Sequence, residues 1–329
     1  MKSVLNNFAE SVFRFEKSTP SHISVRIFGI KFNFLRPKIK KERTNIARFH
    51  NKYTNPTQIP KAEGGLRLVQ LADTKLLEVF DSICSENGIS YWMDFGTLLG
   101  AIRHQGFIPW DDDLDIGMTR DNYEKTVSLF KTNSEKYSDL ELVWENNGKN
   151  KCFVKIKHKK SDNLFIDIFP YDFYYKKLDD TEKTELSQKI SAAQKFSILE
   201  KSKNIENVYK NFRQITANKI LENKPVDIDA EPCLYMGIDY PHQWKNKVYD
   251  WDMIFPLKRI QFEGKEFLAP NKSDEVLSSI YGDYMQLPKD TYPRHASYLD
   301  MNYEERKFLQ DFVGAADSED IELKEAVNV

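Results

Sequence analysis

Residues 91–118 read YWMDFGTLLGAIRHQGFIPWDDDLDIGM, and this stretch decides the fold. Asp111, Asp113 and Asp115 recur at two-residue spacing and run into a short apolar strand. Side chains alternate faces along a strand. Asp113, Asp115 and Gly117 therefore share one face, and Leu114, Ile116 and Met118 share the other. The second set faces a core, while the first holds two ionised carboxylates close together. Like charges held that close repel unless something cationic sits between them. Oxygen-only ligands of this kind suit Mg²⁺ or Mn²⁺. An aspartate run is ordinarily a solvated turn. Here it follows Phe107, Ile108, Pro109 and Trp110 and precedes Ile116 and Met118, unusual company for a solvated loop, and the metal reading is preferred.

Working outward, Phe95-Gly96-Thr97 reads as a strand giving way to a helix. Before it, Leu68, Leu71, Leu76, Val79, Phe80 and Ile83 fall near helical spacing, and Asn87-Gly88 supplies a stop. A strand at 89–94, a short helix near 97–103, and a loop with Gly106 and Pro109 lead to the acidic strand. Asp121 is placed to cap a helix over 122–132. Residues 152–158 (CFVKIKH) alternate, with Phe153, Lys155 and Lys157 on one face. Residues 164–169 (LFIDIF) put Phe165, Asp167 and Phe169 on one face and Leu164, Ile166 and Ile168 on the other. An aspartate inside so apolar a strand is costly to bury alone. With the acidic pair upstream, it reads as a third metal carboxylate.

The flanks are less specific. Residues 23–35 alternate and are followed by Arg36, Lys38, Lys40, Lys41 and Arg43. A hairpin with a solvated basic loop is the preferred reading. The sharper one is a peripheral contact with an anionic membrane surface, each basic residue adding about 1 kcal/mol. Residues 180–224 are polar, Lys/Glu-rich and free of Pro and Gly, which predicts two helices supplied with apolar contacts by Ile190, Phe196, Ile198 and Leu199. A hairpin is expected over 260–268, turned at Glu263-Gly264, and a frayed acidic tail after Asp311.

Bulk properties exclude several classes. Charged residues make up 30% of the 329 positions and balance to a net charge of −2, which gives no global attraction to nucleic acid. Cys84, Cys152 and Cys233 are scattered and lack CxxC spacing, arguing against a disulfide framework or zinc knuckle and for a reducing cytoplasm. The first residues, MKSVLNNFAESVFRFEKS, show no long apolar run and no small-residue cleavage site, so no signal peptide is expected. No apolar run approaches the roughly 18–20 residues needed to span a bilayer, and a soluble or peripheral protein is expected. Neither a Walker A motif nor GxGxxG is present, so P-loop and dinucleotide-binding readings do not fit.

Paired aspartates beside a Gly-led helix start make a site for phosphoryl chemistry. The amides of Gly96 and Thr97 are placed to cradle phosphate. Arg103, His104, Lys155 and Lys157 are candidates to neutralise its remaining charge.

The block GTLLGAIRHQGFIPWDDDLDIGM resembles the signature of the LicD family of phosphotransferases, which fukutin and fukutin-related protein also resemble. The similarity continues in Ile166–Pro170, Phe255-Pro256, the hairpin of residues 262–270, and Tyr281-Gly282-Asp283-Tyr284-Met285 with Leu287-Pro288. The resemblance, which does not reach the prelude 1–60 or the insertion 180–245, implies a polymerase-β-like nucleotidyltransferase core, a mixed sheet flanked by helices; with the helical insertion read from composition the expected fold class is α/β (α+β). The corresponding division is a prelude at 1–60, a catalytic core at 61–175, an insertion at 176–245, the rest of the catalytic domain at 246–312 and a tail at 313–329. On the family's pattern Asp113 and Asp115 are the metal pair, Asp167 the third carboxylate and Gly96-Thr97 the phosphate turn. Asp167 serves as ligand or as general base, and Asp111 joins the metal shell or positions the acceptor. Arg103 and Lys155 steady the leaving phosphate.

The implied reaction is Mg²⁺-dependent transfer of phosphocholine or a polyol phosphate from a CDP-activated alcohol donor to a sugar hydroxyl, releasing CMP. The implied acceptor is a capsule, lipopolysaccharide or teichoic-acid-type glycan assembled at the cytoplasmic face. Trp92, Trp110, Tyr171 and Trp251 are available for an aromatic cage around a quaternary ammonium, although core packing is the commoner fate of such rings. The alternatives are a nucleotidyltransferase releasing pyrophosphate and a non-catalytic glycan-assembly scaffold.

Overall fold

Alternation at the start of the chain produces an antiparallel three-stranded sheet of β1 (Phe13–Phe15), β2 (His22–Ile27) and β3 (Ile30–Leu35), with Ile27 paired to Ile30. The computed structural model describes residues 13–15, 22–27, 30–35, 53, 55–146, 152–174, 177–196, 232–236, 248–287 and 297–314. The basic cluster at 36–43, the second helix expected in the insertion with Ile198 and Leu199, and the tail from 315 lie outside the described residues.

Helix α1 (Gly64–Glu86) follows a short 3-10 turn at Pro56–Gln58. Its buried stripe runs Leu66, Val69, Leu76, Leu77, Phe80 and Ile83, and each fully buried Leu or Phe contributes about 1.5–3 kcal/mol. Leu71 is half-buried against the core, while Val79, expected on the same stripe, is 37% exposed. The helix stops at Asn87-Gly88 as read, with Asn87 Nδ2 donating to the Ile83 carbonyl at 2.7 Å and Gly88 at φ +60°.

The next elements are β4 (Trp92–Met93), α2 (Phe95–His104), β5 (Leu114–Thr119) and α3 (Arg120–Thr132). Strand β4 is shorter than expected. Thr119, not Asp121, occupies the N-cap of α3, and Asp121 sits in the first turn, where its charge complements the helix dipole. Then come β6 (Leu140–Asn146), β7 (Cys152–His158), β8 (Phe165–Tyr174) and α4 (Asp180–Phe196). The last described elements are β9 (Cys233–Met236), β10 (Val248–Asp250), α5 (Trp251–Ile254), β11 (Lys258–Phe262), β12 (Lys265–Ala269), α6 (Ser273–Tyr281) and α7 (Tyr303–Val313).

The main sheet is mixed, with order β10-β9-β8-β5-β4 and with β7 on β8 and β6 on β7. Among the described strands of this sheet only β5 and β8 pair in parallel. Strand β8 is long enough to be shared. One edge pairs with β5, while the other pairs first with β7 and then, from Tyr171, with β9. Leu114, Ile116, Met118, Val154, Ile156, Ile166 and Ile168 are wholly buried, and α1 and α3 pack against β8 while α7 runs along α1. Among the described residues no helix is long and apolar enough to cross a membrane.

Candidate active site

The sheet register assembles the acidic centre. Asp115 lies opposite Asp167 in the β5–β8 pair, and Asp167 lies opposite Lys155 in the β7–β8 pair. Residues directly opposite project from the same face, so three strands contribute a row of two carboxylates and one ammonium. Carboxylate oxygens of Asp113, Asp115 and Asp167 fall within 4.8 Å of one another, as do those of Asp111, Asp112 and Asp113. Lys155 Nζ is 2.6 Å from Asp167 Oδ1 and 3.8 Å from the Phe165 ring centroid.

The start of α2 fixes this row from the side. Asp94 caps the helix, its Oδ1 accepting the Phe95 N–H at 2.9 Å and its Oδ2 the Tyr171 hydroxyl at 2.5 Å. The turn requires φ +41° at Phe95, a left-handed conformation that costs a bulky residue energy. The Asp94 N–H donates to the Asp115 carbonyl at 3.0 Å, and the Asp115 N–H donates to Thr97 Oγ1 at 2.8 Å. Gly96 has a steric role: a Cβ there would stand 2.7 Å from Asp111 Oδ2. The loop that carries Asp111 is tied to α1 by Gln70, whose Nε2 donates to the Ile108 and Asp111 carbonyls at 3.3 and 2.9 Å.

The electrostatics of the centre suit it to hold a cation. Burial, reinforced by Asp113, Asp167, Asp111 and Asp94, holds the Asp115 carboxyl well above the usual carboxylate range. Burial pushes Asp94 up to about 6, against the hydrogen bonds from Tyr171 and Phe95. Three carboxylates converge within 4.8 Å and Lys155 pairs with one of them. The donors are all hard oxygens, a set that fits Mg²⁺ or Mn²⁺.

The pattern described as LicD/FKTN/FKRP, nucleotidyltransferase domain, matches residues 88–212. Over 257 residues the chain is 30% identical to the lipopolysaccharide cholinephosphotransferase LicD of Haemophilus influenzae, covering 70% of this chain and 96% of that protein. The chain belongs to the LicD family. Two further relatives are named as transferases, over shorter stretches. The human ribitol 5-phosphate transferase FKRP is 32% identical over 85 residues, 26% of this chain and 17% of that protein. The ribitol-5-phosphate transferase FKTN of Macaca fascicularis is 24% identical over 181 residues, 54% of this chain and 34% of that protein.

Within the LicD-family domain the structure brings together Asp111, Asp113, Asp115, Asp167, Lys155, Gly96 and Thr97. Arg103 and His104 lie in the last turn of α2, about 10 Å along the helix from Gly96. Arg103 is 4% exposed. Its Nη1 donates to the Tyr284 carbonyl at 2.7 Å and its Nε to His104 Nε2 at 2.9 Å. Burial lowers Arg103 to about 10, partly opposed by Tyr281 and Asp111. His104, expected as a cation, is pushed down to about 3 by burial and by Arg103, so the imidazole is neutral. Lys157 pairs with Asp162, away from the acidic row. Of the rings considered for a cage, Trp92 and Tyr171 are wholly buried core residues, while Trp110 and Trp251 keep partial exposure.

Two acidic residues of the LicD-family fold escaped the sequence reading. Asp112 is 5% exposed despite its place in a polar run. Asp73 is 1% exposed on α1. Its signal was present in the sequence, because it stands at helical spacing from Val69, Leu76 and Leu77 in an otherwise apolar stripe.

Proposed function

We propose that the chain transfers a phospho-alcohol from a CDP-activated donor to a hydroxyl of a cell-surface glycan, releasing CMP. The observation that carries this reading is the Asp113–Asp115–Asp167 centre in a chain that aligns with nearly all of a lipopolysaccharide cholinephosphotransferase. In the reaction the acceptor oxygen forms a bond to the donor phosphorus that carries the alcohol. The bridging P–O bond to the cytidine phosphate breaks, and CMP leaves with that oxygen.

Asp113, Asp115 and Asp167 are the residues that would hold Mg²⁺ or Mn²⁺. When bound, the cation supplies charge neutralisation for the pyrophosphate and lowers the pKa of a nearby hydroxyl. Thr97 and Asp94 hold the Asp115 backbone in place, and the first-turn amides of α2 at Gly96 and Thr97 offer donors to a phosphate oxygen. Lys155 supplies positive charge for the leaving phosphate, with Arg103 acting at longer range. Asp167 is positioned either as ligand or to take the acceptor's proton, and Asp111, seated over Gly96, orients the acceptor. Trp110 and Trp251, half-buried, are the rings left for an alcohol moiety. The chain works at the cytoplasmic face.

³¹P NMR with CDP-choline, CDP-glycerol and CDP-ribitol in turn, with and without EDTA, tests this directly. Conversion of one donor to CMP that EDTA abolishes is the expected result. The family description names a nucleotidyltransferase domain, which favours nucleotidyl transfer as the second reading. Pyrophosphate release from a nucleoside triphosphate, with every CDP-alcohol intact, would establish it instead.

A further inference from the structure

Asp73 lies midway along α1 among Val69, Leu76, Leu77 and Phe80, all buried. It is 1% exposed, and neither of its carboxylate oxygens has a hydrogen-bond partner. Burying a carboxylate without partners is strongly unfavourable, and a helix that only needs to pack has no use for one at this position.

The groups that act on Asp73 agree with its place on α1. Burial raises its carboxyl well above the usual range and Asp113 adds to this. The Phe165 backbone N–H works in the other direction without reaching hydrogen-bonding geometry, and Asp112 and Asp167 raise it further. Gln70, three residues earlier on the same helix face, donates to the Asp111 carbonyl at 2.9 Å, and α1 packs against β8. Asp73 thus faces the acidic centre from the helix, while β5, the loop before it and β8 supply the other carboxylates. It belongs to neither set of carboxylates whose oxygens converge within 4.8 Å among the described residues. That separation argues against direct ligation together with Asp113 and Asp115. A carboxylate one step further out acts on a hydrated cation by accepting hydrogen bonds from its water.

We infer that Asp73 is a positioning carboxylate of the acidic centre. It accepts hydrogen bonds from water on the divalent cation held by Asp113, Asp115 and Asp167, and so raises the chain's affinity for that cation. The inference rests on the metal reading of the centre given above. It accounts for a buried acid that packing alone leaves unexplained, and it adds α1 to the elements that build the site. It also predicts opposite effects on the two forms of the protein. In the cation-free chain Asp73 is a buried, unpartnered acid beside other acids, and removing it relieves the fold. In the cation-loaded chain its removal loosens the site.

A Mn²⁺ titration of the full chain, reading free Mn²⁺ by electron paramagnetic resonance, measures affinity without turnover. Wild type binds Mn²⁺, and Asp73→Asn binds it about 10–100-fold more weakly, the range typical of lost outer-shell partners. In EDTA, Asp73→Asn melts at or above the wild-type temperature. Asp73→Leu, an apolar residue that a plain core position would accept, gives the same loss of affinity. Equal Mn²⁺ affinity in wild type and both variants overturns the role of Asp73 and leaves the metal centre standing. A lower melting temperature in EDTA with unchanged affinity assigns Asp73 to packing and overturns it as well. Failure of wild type to bind Mn²⁺ overturns the metal centre itself, and the inference with it.

Discussion

Two buried acidic regions of this molecule solve the same electrostatic problem in opposite ways. At the tip of the β11–β12 hairpin, the Glu263 side chain is 3% exposed, and cations from the chain itself surround it. Arg67 binds it through two hydrogen bonds of 3.0 and 2.8 Å, Lys61 approaches to 2.7 Å, and the Phe107 N–H donates at 3.1 Å. Burial would raise the carboxyl, but Arg67 and Lys61 outweigh it and hold the group below its ordinary value. At the acidic centre Lys155 is paired with Asp167, and Asp115 stays raised. A carboxylate whose counter-charges are built in is structural. One whose carboxyl stays raised, as Asp115 does, is what the proposed cation would neutralise.

The sharpest way to break this contrast is to neutralise one member of each region. Glu263→Gln leaves Arg67 without its buried partner and releases the Gly106-Phe107 loop, and a loss of about 3–5 kcal/mol is expected. Chemical denaturation, with and without Mg²⁺, measures it, and the loss is the same in both. Asp115→Asn does the reverse. Its melting temperature in EDTA is no lower than that of wild type, while CMP formation in the ³¹P assay falls by about 10²–10³-fold, as for loss of a charged group that stabilises a transition state. A variant that lost stability in EDTA to the degree of Glu263→Gln would erase the distinction.

A smaller effect comes from pH. The Asp94 carboxyl is raised from 3.8 to about 6 in the folded chain. A raised acid binds its proton more tightly when folded, so stability is lost as pH rises from about 4 through 6. Glu263 is lowered below 4.5, so its contribution is full above that value and disappears as pH falls through the folded pKa. Melting in EDTA is therefore expected to improve on acidification from pH 7 to about 5 and to decline below about 4. A curve that falls steadily from pH 7 downward would contradict the assignment. The smallest change is steric: Gly96→Ala pushes the Asp111 carboxylate aside. Turnover drops by up to about 10²-fold, as for a misplacement near 1 Å, with little change in melting temperature.

The legibility of the sequence followed the same division. The spacing of Asp113, Asp115 and Asp167 could be read because strand alternation is a local rule, and the LicD-type block extended that reading to a mixed sheet flanked by helices. Asp73 stayed hidden because helical periodicity assigns its position to packing and carries no information about which strand faces it. Trp92 and Tyr171, considered for a cage, are core residues. The Trp92 ring lies where a Gly117 Cβ would be, at 2.4 Å, a contact that depends on the β4–β5 register. Strand β6, whose residues 140–146 mix Leu and Val with Glu and Trp, was missed because its pairing with β7 is a tertiary fact. His104 was misjudged as a cation because its neutrality depends on Arg103 and on burial.

Asp115, Asp167 and Lys155 are held in line by consecutive rungs of main-chain hydrogen bonds. Their spacing is therefore the repeat of neighbouring strands, about 4.8 Å, and does not depend on how well the surrounding side chains fit. Core residues beneath the sheet can drift in size without moving the two carboxylates apart. A single-residue slip of β8 would turn Asp167 to the opposite face. The chemistry inherits its tolerances from the backbone, forgiving of substitution and intolerant of insertion within that one strand.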